Sequence, residues 1–229
     1  MAALSRPLLR RIAFLRRNRC GALVVALCLF ILFNPVLADS SSGRIVLSIA
    51  LIGIMVLAVW AIRGRRLMAA VVSLALVAMA SLGTEIVAGH TVRPLSFAAT
   101  AAMIGAVTVA LLYYVLDWRK ITPDKVFAAV SAYVLIAITF ASLFSLLQVV
   151  QPRAFHVAAL HEPDGHLGWH DMMYFSFTVL TSTGFGEITP VTNTARSLIV
   201  IEQVLGVMYV AFLVARLANL YGKAPQERA

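Results

Sequence analysis

Thr181-Ser-Thr-Gly-Phe-Gly-Glu187 stands in a short gap between two long apolar segments, and its reading decides the fold. Two glycines flanking an aromatic residue permit backbone angles that other residues resist. A strand of this kind can turn its carbonyls toward one axis and replace the water around a dehydrated cation. At membrane depth, irregular backbone is tolerated only where protein buries it or where it lines a water-filled path.

The composition agrees with a membrane setting. Hydrophobic residues make up 61% of the 229-residue chain and charged residues 13%, against about 25% charged in an ordinary globular protein. So few charges could not cover a water-exposed surface. The formal net charge of +9 comes without a basic-aromatic face or a nucleic-acid motif, so no nucleic-acid partner is expected. Cys20 and Cys28 lie two turns apart on one expected helix, too distant to bridge each other. They read as free thiols, without a disulfide framework or metal-ligand spacing.

A membrane span takes about 20 mostly apolar residues. Six segments qualify, at roughly 20–38, 45–62, 67–89, 95–116, 125–150 and 195–221. The region 151–194 differs. It begins polar, carries a short apolar run from Met172 to Leu180, and ends in the glycine-rich stretch and Thr189-Pro190. The apolar run is too short to span and suits a half-helix that enters the membrane and returns.

Lysine and arginine set the orientation. Of the 19, fifteen fall before span one, between spans two and three, between spans four and five, and at the C-terminal end. Only Arg44, Arg93, Arg153 and Arg196 fall on the other side. Both termini are therefore expected in the cytoplasm, with 151–194 entering from outside. The arginine-rich head, the apolar run from Gly21 and Val36-Leu37-Ala38 before Asp39 also have the form of a cleavable signal peptide. The head is long and the run approaches spanning length, so we read a retained helix. Cleavage would leave five spans in the same orientation.

The stretch Asp171-Met-Met-Tyr-Phe-Ser-Phe-Thr-Val-Leu-Thr-Ser-Thr-Gly-Phe-Gly-Glu-Ile-Thr-Pro190 resembles the pore signature of the potassium-channel superfamily. That signature is a pore helix, then Thr-x-Gly-Tyr/Phe-Gly, then an acidic residue. The resemblance is close over 171–190 and looser over about 125–221. Spans one to four carry no such resemblance; with the six apolar segments the resemblance implies an all-α, six-span transmembrane fold in which a re-entrant pore helix and filter lie between spans five and six. It also implies a homotetramer, because one filter strand per chain cannot make a ring. The regions are then a basic cytoplasmic head at 1–19, four helices at 20–116, a cytoplasmic linker at 117–124, the pore module at 125–221 and a cytoplasmic tail at 222–229.

Residue by residue, the resemblance implies that K+ is held at Ser182, Thr183, Gly184 and Phe185. Ser182 would form the innermost site with its carbonyl and hydroxyl, and the other three would supply backbone carbonyls. Gly184 and Gly186 would allow the angles that aim the carbonyls inward. Phe185 would pack outward against the pore helix, Thr181 would close that helix, and Glu187 would sit at the outer mouth. Ser182 replaces the usual threonine, Thr183 the usual valine, Phe185 the more common tyrosine and Glu187 the usual aspartate. These departures bear on selectivity and inactivation and leave the carbonyl column in place. A pore helix aimed at the axis would add about half a negative charge per copy, which favours cations.

Other features carry paired readings. Gly206, in span six, is by resemblance near a gating hinge, or it is a small residue that lets helices approach. Glu202, one turn earlier, reads as a brace behind the filter in preference to a direct role in the ion path. Glu85 in span three reads as structural or interfacial. His156, His161, His166 and His170 could sense acid or bind zinc, but without a tight ligand pair they read as solvated loop residues. Phe97 to Leu116 contains neither arginine nor lysine, so span four lacks the charge ladder of a voltage sensor. Trp118 reads as an interfacial anchor. No nucleotide-binding loop or catalytic triad appears, so no enzyme activity and no cofactor beyond the permeant K+ are expected.

The function expected is passive, potassium-selective conduction in a bacterial inner (plasma) membrane, with lipid and other copies of the chain as partners. The alternatives are a weakly selective cation channel and a non-conducting scaffold or sensor with a channel-like fold.

Overall fold

The computed structural model describes residues 19–38, 40–62, 93–117, 122–157 and 167–222. Six helices and one small ladder account for most of them. Helix α1 is Arg19–Ala38, α2 Ser41–Ile62, α3 Arg93–Leu116, α4 Pro123–Val150, α5 Trp169–Leu180 and α6 Asn193–Gly222. Four of these, α1, α3, α4 and α6, are long and apolar enough to cross a membrane, and α2 holds a shorter apolar stretch at Ile45–Ala61. The expected spans at 20–38, 45–62, 95–116, 125–150 and 195–221 fall on helices. The segment at 67–89, with Glu85, lies outside the described residues, as do Trp118, His161 and His166.

Helix ends follow local chemistry. Thr122 precedes α4, with Pro123 in its first turn and Asp124 after it, a sequence preorganised to start a helix. The carboxylate of Asp171 accepts a hydrogen bond from the Gly168 backbone N–H at 2.7 Å and so caps the start of α5. The Thr192 hydroxyl accepts from the Ala195 N–H at 3.3 Å at the start of α6.

Helix α4 is the centre of the chain. Its alanines at 128, 129, 132, 137 and 141 are buried, and such small residues let helices approach closely. Leu135 and Ile138 join Leu23 and Leu27 of α1, Met55 of α2, and Ile104 and Leu111 of α3 in one core. Ser131, Ser142 and Ser145 each donate to the carbonyl four residues back, so no hydroxyl is stranded. A second core lies toward the other end of α4, where Phe144, Phe155 and Phe175 meet edge-on or tilted at 5.3–5.5 Å between centroids.

The all-α expectation needs one correction. Strand β1, Phe155–Val157, pairs antiparallel with β2, Ile188–Pro190, in the register Phe155↔Pro190, His156↔Thr189 and Val157↔Ile188. Phe155 and Ile188 are buried, so each strand buries its alternate residue at one end. The ladder ties the segment after α4 to the segment after the glycine-rich stretch. Three residues per strand are too few for an alternating pattern to show in sequence.

Candidate ion-conduction site

The end of α5 sets the backbone of the segment that follows. The last four carbonyls of a helix have no partner inside it. Here Phe177 accepts from Thr181 N–H at 3.1 Å, Thr178 from Thr183 and Gly184 N–H at 2.8 and 3.2 Å, and Val179 from Ser182 N–H at 2.9 Å. The Leu180 carbonyl accepts from the Tyr133 hydroxyl at 3.3 Å. The amides of 181–184 therefore point back into α5. No carbonyl from Thr181 to Gly186 accepts a backbone hydrogen bond among the described residues.

The backbone angles alternate in sign. Ser182, Gly184 and Gly186 have φ of 56°, 55° and 86°, while Thr183 and Phe185 stay in the ordinary negative range. In a regular strand successive carbonyls point to opposite sides. Alternating left- and right-handed residues rotate every second peptide and bring the carbonyls toward one side. Glycine accepts this freely; for Ser182 it costs about 1–2 kcal/mol. Gly184 and Gly186 were legible in the sequence, but the left-handed Ser182 was not. Its spacing of two residues before Gly184 was the available signal.

Residues Thr181 to Gly186 are all exposed in the single chain. The Thr181 hydroxyl donates to the Phe177 carbonyl at 2.7 Å and lies 2.8 Å from the Thr183 hydroxyl, so Thr181 closes α5. The Phe185 ring stacks almost parallel on Tyr174 of α5, with 6.3 Å between centroids. The Tyr174 phenol is held above its ordinary pKa by desolvation and by its hydrogen bond to Glu187. Sequence reading passed Tyr174 over because it sits inside an ordinary apolar run.

Helix α6 passes behind α5 and meets it at two points one turn apart on both helices. Glu202, fully buried, lies against Ser176 with 2.5 Å between Oε1 and Oγ. Gly206 lies against Leu180, where a Cβ would come within 2.2 Å of the Leu180 carbonyl oxygen. Glu202 thus links α6 to α5 through Ser176. At Gly206 the structure gives the close approach; α6 runs unbroken through it. Further along, Tyr209 donates to the Ala129 carbonyl at 2.7 Å and stacks on Tyr133.

Of the outer histidines, His156 is exposed on β1 and His170 pairs with the Asp171 carboxylate at 3.1 Å. No cluster able to hold a metal ion occurs among the described residues. Cys20 is buried and Cys28 exposed, and both are free.

With this geometry in view, comparison with known proteins is specific in one respect. Residues 132–223, from within α4 to just past α6, match a family model described as an ion channel. No curated protein and no solved structure matches the chain. The matched region contains α5, the alternating segment and α6 and is similar to an ion-channel family over that stretch; together with the helices long and apolar enough to cross a membrane, this supports an integral membrane protein.

Proposed function

We propose that this chain is one quarter of a passive potassium-selective channel, in which the carbonyls of Ser182, Thr183, Gly184 and Phe185 from four copies replace the hydration shell of K+. The observation that carries this reading is the alternation of φ at 182, 184 and 186 together with amides turned back into α5. That combination leaves a row of unpartnered oxygens on an exposed strand. Such a row suits a dehydrated cation, and the carbonyl end of α5 adds negative potential beside it.

The re-entrant path, the six spans and the tetramer belong to the same proposal. One strand per chain supplies one side of a filter, so a ring requires closed symmetry. The exposed apolar faces of α6 supply surface for that assembly. Both termini lie in the cytoplasm on the distribution of arginine and lysine. Opening is not classically voltage-driven, because Phe97 to Leu116 carries no gating charge. Glu187 shapes the outer mouth, Glu202 braces the filter, and Gly206 keeps α6 close to α5 at the level where a hinge would act.

The test is cation flux into proteoliposomes. Gly184→Val places a β-branched residue at φ 55°, a genuine outlier position for such a side chain. Potassium flux should vanish while membrane insertion and oligomer size stay unchanged. Undiminished flux in the variant would refute the filter.

A further inference from the structure

The carboxyl group of Glu202 is enclosed by three helices. It is fully buried inside α6. Its Oε1 lies 2.5 Å from Ser176 Oγ of α5. The same Oγ lies 2.7 Å from the Ala137 carbonyl oxygen of α4. A hydroxyl carries one proton; a peptide carbonyl and an ionised carboxylate carry none. With Glu202 ionised, three oxygens in a row would share a single proton, and one of the two close contacts would set lone pair against lone pair. With Glu202 protonated, both contacts are hydrogen bonds. The Glu202 O–H donates to Ser176 Oγ, and the Ser176 O–H donates to the Ala137 carbonyl.

The surroundings favour the same assignment. Glu202 Oε2 is buried and receives no hydrogen bond among the described residues. A carboxylate left half-satisfied away from water is far more costly than a neutral carbonyl oxygen in the same place. From α4 the titratable group facing it is Tyr133, whose hydroxyl donates to Leu180. On α6 Tyr209 donates to Ala129. On α5 the facing group is the Ser176 hydroxyl. No lysine, arginine or histidine forms an ion pair with Glu202 among the described residues.

We propose that Glu202 is a positioning residue that works as a carboxylic acid. Its proton completes a bracket from α6 through α5 to α4 and sets the height of the filter helix. The consequence for conduction rests on the filter reading above; the protonation does not.

Infrared difference spectroscopy of the full-length protein in bilayers at neutral pH reads the proton directly. Subtracting Glu202→Gln from wild type should leave a carboxylic-acid carbonyl band that shifts in D2O. Subtracting Ser176→Ala should show the same band displaced, because its partner is gone, and this carries the test if the Gln variant fails to assemble. Difference spectra with carboxylate bands alone overturn the proposal. In flux assays Glu202→Gln, whose amide N–H replaces the acid O–H, should stay near wild type. Glu202→Ala should fall by roughly tenfold, the scale of a lost buried hydrogen bond. Equal loss in both variants counts against the bracket. An acid band in a wild-type protein that conducts nothing would leave the bracket standing and sink the filter reading.

Discussion

Helices α4 and α6 flank the same short helix and have almost the same mean hydropathy, yet their surroundings are opposite. In α4, 61% of the spanning window is buried within the chain; in α6 the figure is 17%. Helix α6 buries one stripe, Ala195, Ile199, Glu202 and Gly206, at helical spacing. Val200, Ile201, Val204, Leu205, Val207 and Met208 around it are exposed. Hydropathy says that a helix belongs in a membrane, whereas burial says what it meets there. Helix α4 is the core of the described chain. Helix α6 is a surface whose neighbours, on the proposed function, are other copies of the chain and the ion path.

Cysteine cross-linking would break or sharpen that contrast most severely. In a background of Cys20→Ala and Cys28→Ser, Val204→Cys or Met208→Cys should give disulfide-linked dimers on oxidation. Ala132→Cys and Leu135→Cys on α4 should give none. Dimers from the α4 positions alone would reverse the assignment.

A smaller effect is expected where α6 meets α5. In Gly206→Val the new Cβ would press on a backbone carbonyl at 2.2 Å, which cannot swing away as a side chain can. Helix α6 must shift, at a cost of about 1–3 kcal/mol. Thermal unfolding in detergent should show a lowered midpoint; an unchanged midpoint would mean that the contact is not close in the assembled protein.

The smallest effect is expected near the C-terminal end of α6. The Arg216 guanidinium donates to the Val115 and Asp117 carbonyls, tying α6 to the end of α3. Lys125 Nζ also donates to the Asp117 carbonyl, at 2.8 Å. Because the two cations share this helix end, Arg216→Gln should cost only about 0.3–1 kcal/mol. A large fall in stability would show that Arg216 acts alone.

The comparison also marks what sequence could carry. Long apolar runs give α1, α3, α4 and α6 directly, because a span's length and composition are local properties. Gly184 and Gly186 were legible because glycine is the ordinary solution for positive φ. Ser182 was not, since its left-handed angle is imposed by amides bonded back to Val179 and Thr178. The buried stripe of α6 was also hidden, because the helix is apolar nearly all round and its periodicity vanishes. Tyr174 and Ser176 gained meaning only when folding brought Phe185 and Glu202 to them.

The reversal potential of the purified protein in a planar bilayer, under unequal potassium and sodium, tests the carbonyl filter most directly. The result expected is a reversal close to the potassium equilibrium potential. A reversal near zero, or the absence of current from correctly assembled protein, would contradict a potassium-selective ring of carbonyls from Ser182 to Phe185.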